Sequence, residues 1–175
     1  VAQLVPDGAI DTDVGSTKRR IVARAAECFR AGTYFVGGHP MAGSEKAGVT
    51  AADPFLFQNA IYILVPDTKV PSERYDALVA LLRGVGARVL ELAADEHDKA
   101  VASISHLPQI MATMLVEMVG RLNEEDDHFL PLAAGGFRDM TRIASSPFAP
   151  VWQDIYATNA DQVRAMIDRY MAVLK

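Results

Sequence analysis

The chain has 175 residues, half of them hydrophobic, which is enough to bury the core of one domain or of two small ones. Its formal net charge of -5, with no basic stripe interleaved with aromatic residues, argues against a nucleic-acid surface, and no apolar run reaches the roughly 18 residues of a membrane span. One cysteine, Cys28, excludes an internal disulfide and a multi-cysteine metal site. In chain order, AIDTDV (9–14) predicts a strand, Ser16 an N-cap, and TKRRIVARAAECF a helix running to Gly32, with Cys28 as buried filler on its face. TYFVGG is the next strand, and its carboxyl end delivers His39. AADPFLF suggests a short helical turn, AIYILVP (60–66) a buried strand, SERYDALVALLRGVG a helix and ARVLEL (87–92) a last strand. Strands alternating with helices predict an α/β sheet, whose ligands bind at the carboxyl ends of strands.

Two loops fall at such ends, DVGSTK and GGHPMAGSEKAG (37–48). Glycines as dense as those of the second loop let backbone approach something that a Cβ would hold away. The bland reading is a tight turn, and the sharp one a loop built around a ligand with His39 as its titrating group. No GxGxxG turn to seat a pyrophosphate on a helix N-terminus occurs in the sequence, and the chain begins with Val1. The expectation is a C-terminal piece of a longer polypeptide, binding a dinucleotide poorly by itself.

From about Asp95 the pattern becomes all-helical. DEHDKAVASISHLPQIMATMLVEMVGRL predicts a long helix bent at Pro108, with Met111, Met114 and Met118 on an apolar face that reads as core or subunit seam. EEDD reads as a solvated run, and His97 and His128, set among acids, as solvated surface. Helices over FLPLAAGGFRDMTRIASS, FAPVWQDIYATN and ADQVRAMIDRYMAVLK complete the chain. No HxxxH or HxH spacing supports a metal.

DVGSTK, GGHPMAGSEKAG, SHLPQ, and GGFRDMTRIASS followed by VWQDI, in that order, resemble the prephenate dehydrogenase family, NAD-dependent enzymes of tyrosine biosynthesis; the resemblance covers residues 13–159. It implies a partial Rossmann-type α/β sheet followed by an all-α helical dimerisation domain. Residues 1–94 would be the C-terminal part of the NAD-binding domain and 95–175 the dimerisation and substrate domain of a cytoplasmic homodimer that needs no nucleic acid or membrane. The cofactor expected is NAD, with NADP left open, and the substrate a small dicarboxylate, prephenate or arogenate. SSPFAPVW departs from the acidic stretch found there in the family.

The resemblance also assigns roles. His39 takes or polarises the substrate hydroxyl proton, a task suited to an imidazole whose ordinary pKa is about 6.5. Ser16 orients the histidine and the hydroxyl. Arg142 matches the carboxylate-binding arginine, whose planar fork gives two parallel hydrogen bonds. Arg138, four residues earlier, shares its helix face, with an ion pair to Asp139 or Asp154 as the alternative. His106 supplies a substrate or structural hydrogen bond, and Glu45 gates the substrate mouth or forms a surface salt bridge. Asp13, Gly15, Ser16 and Gly43 are the cofactor-binding candidates. The competing class is a non-catalytic dimerising or ligand-binding module derived from such a dehydrogenase.

Overall fold

The computed structural model describes residues 2–43, 48–146 and 148–175, and the chain divides into two compact units, Val1–Asp98 and Lys99–Lys175. In the first, strands β1 (Ile10–Thr12), β2 (Tyr34–Pro40), β3 (Ile61–Val65) and β4 (Arg88–Glu91) form one sheet in that spatial order. β1 and β2 are parallel, as are β3 and β4, whereas β2 and β3 run antiparallel with His39 opposite Ile63. Antiparallel neighbours need no helical crossover, and the β2–β3 connection carries only a 3-10 turn, Val49–Ala51, among its described residues. Helices α1 (Arg19–Cys28) and α2 (Ser72–Gly84) follow β1 and β3. Val36, Tyr62, Leu64, Val70, Val79, Leu82 and Ala87 make the core, so the middle of the sheet is buried as its run of β-branched and aromatic residues predicts.

Glycines 37 and 38 are explained by close approach. A Cβ on Gly37 would lie 2.9 Å from Val22 Cγ2 of α1, and one on Gly38 would lie 2.5 Å from the Asp13 carbonyl oxygen. The loop after β1 therefore rests directly on the backbone of β2 and fixes where His39 emerges.

Four local expectations are corrected. β1 spans three residues rather than 9–14, and α1 ends at Cys28, which is exposed rather than buried. Ser16 is not the N-cap: α1 starts at Arg19 with Lys18 in the cap position and no local side-chain cap. The orphan backbone N–H groups of Lys18 and Arg19 donate instead to the Asp98 carboxylate, at 2.7 and 3.0 Å. A carboxylate about eighty residues away in sequence thus does the work that a capping serine does locally.

Asp98 belongs to α3 (Ala94–Val101), within which the division between the units falls. In the second unit a π-helical turn, Ala102–His106, precedes α4 (Leu107–Glu125). Pro108 sits in the first turn of α4, where a missing N–H leaves nothing unsatisfied, so the local irregularity is the π turn and not a proline bend. α5 (Gly135–Thr141) is followed by a 3-10 turn, Arg142–Ser145, and by α6 (Gln153–Val173), which kinks at the buried Asn159. Ala102, Val163 and Met166 form the core of this unit, with Leu107, Ile110 and Tyr156 packed against it. Met114 and Met118 are 55% and 53% exposed, so they face outward from it. No helix among the described residues is long and apolar enough to cross a membrane.

Candidate active site

The carboxyl ends of β1 and β2 are tied together by Asp13. Its Oδ2 accepts from Gly15 N at 2.8 Å and from Lys18 Nζ, and its Oδ1 accepts from Gly38 N at 2.9 Å. Lys18 is fully buried, and burial pushes its ammonium below the usual lysine range against the opposing pull of Asp13, by hydrogen bond and charge, and of Asp98. Of the sequence candidates, Asp13 thus shapes the loop instead of offering an open carboxylate. Gly15 is exposed, Ser16 half-buried on the same loop, and Gly43 exposed at φ 147° with nothing among the described residues within 4 Å of a Cβ position.

His39 is half-buried at the end of β2, and its Nδ1 lies 2.8 Å from Nε2 of His97. The two rings meet edge to face, with centroids 5.0 Å apart. His97 Nδ1 lies 2.8 Å from Asp98 Oδ1, and both His97 and Asp98 are fully buried. Asp98 Oδ2 also accepts from Arg19 Nε at 3.2 Å, and Arg19 in turn lies 3.8 Å from the exposed Asp95. His97 is therefore not solvated surface: the helical register of α3 turns His97 and Asp98 inward while Asp95 stays outside. The sequence reading missed both residues. A usable signal is present, an adjacent His-Asp pair in the middle of a short helix that begins shortly after a strand end.

The Asp98 carboxyl is held below the usual carboxylate range. Burial opposes its ionisation, but the hydrogen bond with His97, the backbone N–H groups of Arg19 and Lys18, and the His97 charge outweigh it. A depressed carboxylate contributes stability that is complete above its unfolded pKa of about 3.9 and is lost as pH falls through the lower folded value. The stability measured by urea unfolding is accordingly expected to fall as pH drops from about 4, and Asp98→Asn to flatten that slope. An unchanged acid slope in the variant would contradict this account.

The second unit holds the other candidates. His106 is 1% exposed, 3.4 Å from Asn159 Nδ2 through its Nδ1, and edge-on to Trp152 with centroids 6.3 Å apart. Trp152 stacks on Tyr156, whose hydroxyl donates to Gln109 Oε1 and is pushed up to about 12 by burial. Arg138 lies on α5, whereas Arg142 opens the 3-10 turn beyond it, so the two do not share one continuous α-helical face; both are exposed. Glu45 lies outside the described residues. His128 is exposed beside Asp126. A cavity of about 570 Å³ in the first unit is lined by Val22, Phe29, Gly37, Val65 and Val70 among others, but not by His39, His97 or Ser16, so it does not mark this site.

Residues 1–91 match the family model described as prephenate dehydrogenase, nucleotide-binding domain, and residues 93–175 the one described as prephenate dehydrogenase, dimerization domain. Prephenate dehydrogenase of Bacillus subtilis is 44% identical over 164 residues, which cover 91% of this chain and 43% of that protein. Among solved structures, prephenate dehydrogenase from Aquifex aeolicus in complex with hydroxyphenyl propionate and NAD+ superimposes with a TM-score of 0.89 at 32% identity, covering 99% of this chain and 59% of that one. Synechocystis arogenate dehydrogenase gives a TM-score of 0.79 at 31% identity, covering 95% and 59%. The chain thus spans less than two thirds of the length of each of these relatives.

Proposed function

The chain belongs to the prephenate dehydrogenase family, and on that premise we propose that the protein carrying it oxidises and decarboxylates prephenate, using NAD, in the formation of the aromatic ring of tyrosine. The observation that carries this reading is the chain His39–His97–Asp98, which holds an imidazole at the carboxyl end of β2. When bound, NAD supplies the acceptor for the hydride that leaves the hydroxyl-bearing carbon. The exposed backbone at Gly15 and the open, left-handed Gly43 suit the edge of a cofactor cradle, because neither carries a side chain that a ligand must displace.

His39 takes the hydroxyl proton as the hydride departs, which keeps positive charge from building on the substrate oxygen. Ser16, on the loop that Asp13 anchors, orients the imidazole and the hydroxyl. Arg142 offers its guanidinium fork to a substrate carboxylate, with Arg138 adding positive charge to the same short segment. His106, fixed by Asn159 and Trp152, serves as a held hydrogen-bonding group of the helical unit. Residues 95–175 form the dimerising part, with Met114 and Met118 on the exposed face that a second copy would cover.

The test is direct. The purified full-length protein that carries this chain, given prephenate and NAD, is expected to form NADH and release carbon dioxide, with arogenate and NADP assayed in parallel to fix the preferred pair. Arg142→Ala is expected to raise KM more than it lowers kcat, since a carboxylate clamp acts in the ground state as well as in the transition state. Absence of NADH or NADPH formation with both substrates would overturn the reading.

A further inference from the structure

The structure places a second histidine behind the first, and we propose that His97, backed by Asp98, is a positioning residue that fixes the tautomer of His39 and steadies its protonated form. This inference rests on the catalytic reading of His39. With His97 neutral, the hydrogen-bond chain has one consistent proton arrangement. Asp98 is held ionised by the backbone N–H groups of Lys18 and Arg19 and by Arg19 Nε, so its Oδ1 accepts, and His97 Nδ1 must be the donor across 2.8 Å. A neutral His97 protonated at Nδ1 carries its lone pair on Nε2. That atom lies 2.8 Å from His39 Nδ1, which must therefore donate. His39 is left with its lone pair on Nε2, the one ring atom able to take a proton.

The same chain supports the product of that transfer. Once Nε2 of His39 gains a proton the ring is an imidazolium, its Nδ1–H still donating to a neutral acceptor behind which stands a buried carboxylate. Both supporting groups are fully buried, so little solvent competes for these bonds. Among the described residues, the charged and titratable groups around the pair are Asp13, Lys18 and Arg19 from the β1–α1 segment, Tyr62 from β3, and Asp95 from α3. Lys18 is already paired with Asp13, and Arg19 with Asp98 and Asp95, which leaves the Asp98 charge partly shared but directed at His97. Buried histidine–carboxylate couples of this kind orient a working imidazole in the way that a second-layer partner orients a metal-bound histidine.

Two measurements test it. Long-range nitrogen–proton NMR of the 15N-histidine protein at neutral pH is expected to show both His39 and His97 as Nδ1–H tautomers; an Nε2–H tautomer at His39 overturns the proposal whatever the activity. In the NADH assay, His97→Leu is expected to lower kcat about 10- to 100-fold, the scale of removing an orienting partner from a ligating histidine. The acidic limb of its kcat/KM profile should shift to lower pH, because the imidazolium loses its acceptor. His97→Gln, whose amide oxygen can accept from His39 Nδ1–H, should recover much of the rate. A folded His97→Leu with wild-type kcat and an unmoved acidic limb refutes the proposal while leaving the catalytic role of His39 intact. If the leucine variant does not fold, the glutamine variant and the tautomer measurement decide. Wild-type activity in His39→Asn would instead refute the catalytic reading, and the tautomers would still report on the hydrogen-bond chain.

Discussion

Replacing His39 with Asn is expected to lower kcat about 10² to 10⁴-fold, the usual contribution of a general acid–base group, while KM changes little. The asparagine is chosen because its amide N–H can sit where Nδ1–H sits and keep a donor toward His97 Nε2, so the buried His97–Asp98 pair is not stranded. What it removes is the second ring nitrogen, and with it the only atom of residue 39 that can accept a proton at neutral pH. The acidic limb of the kcat profile should vanish along with the rate, because that limb records the protonated imidazole. Steady-state kinetics across pH check both expectations together. Retention of the rate and of the limb would mean that the GGHP loop is a turn that happens to contain a histidine, and would move the search for the base to His106.

The local signals that proved readable were those in which sequence and packing agree. Gly37 and Gly38 ahead of His39 announced a close approach, and the close approach is that of the β1–α1 loop and α1 to β2. The mixed sheet with its following helical unit matched the alternation of short apolar runs and the later 3.6-residue pattern. Long-range capping was not readable. Ser16 looks like an N-cap by every local rule, yet the first turn of α1 is capped by Asp98, and no local pattern reports a carboxylate arriving from another element. His97 is hidden from sequence for a related reason. A histidine among Asp95, Glu96 and Asp98 reads as a solvated helix start, but one of those acids points out and another in, and only the packing of α3 decides which. Cys28 is the opposite case: its apolar neighbours suggest a buried face, but the end of α1 lies open.

The Asp13–Lys18 pair should contribute strongly to the stability of the first unit. Lys18 has no exposed side-chain surface and Asp13 is 13% exposed, so removing the carboxylate strands an ammonium where water cannot reach it. Breaking a buried pair from one side typically costs about 3 to 5 kcal/mol, and Asp13→Ala also releases the N–H groups of Gly15 and Gly38 that position the loop. The loss should depend on pH with a definite sign. Burial already pushes Lys18 below the usual lysine range, and without Asp13 it should fall further, leaving Asp98 as the remaining opposite charge. Between that folded value and the unfolded value of about 10.4 the unfolded chain binds more protons, so the variant should gain stability as pH rises through this window, with the full cost present below it. Asp13→Asn keeps an acceptor for Gly38 but not the charge, and adding Lys18→Met to it removes the stranded ammonium. The double variant is therefore expected to be more stable than Asp13→Asn alone, a non-additivity that a urea-unfolding cycle measures directly. Additive losses with no pH dependence on the alkaline side would show that Lys18 keeps its charge solvated by some other route, and that Asp13 serves the backbone of the loop alone.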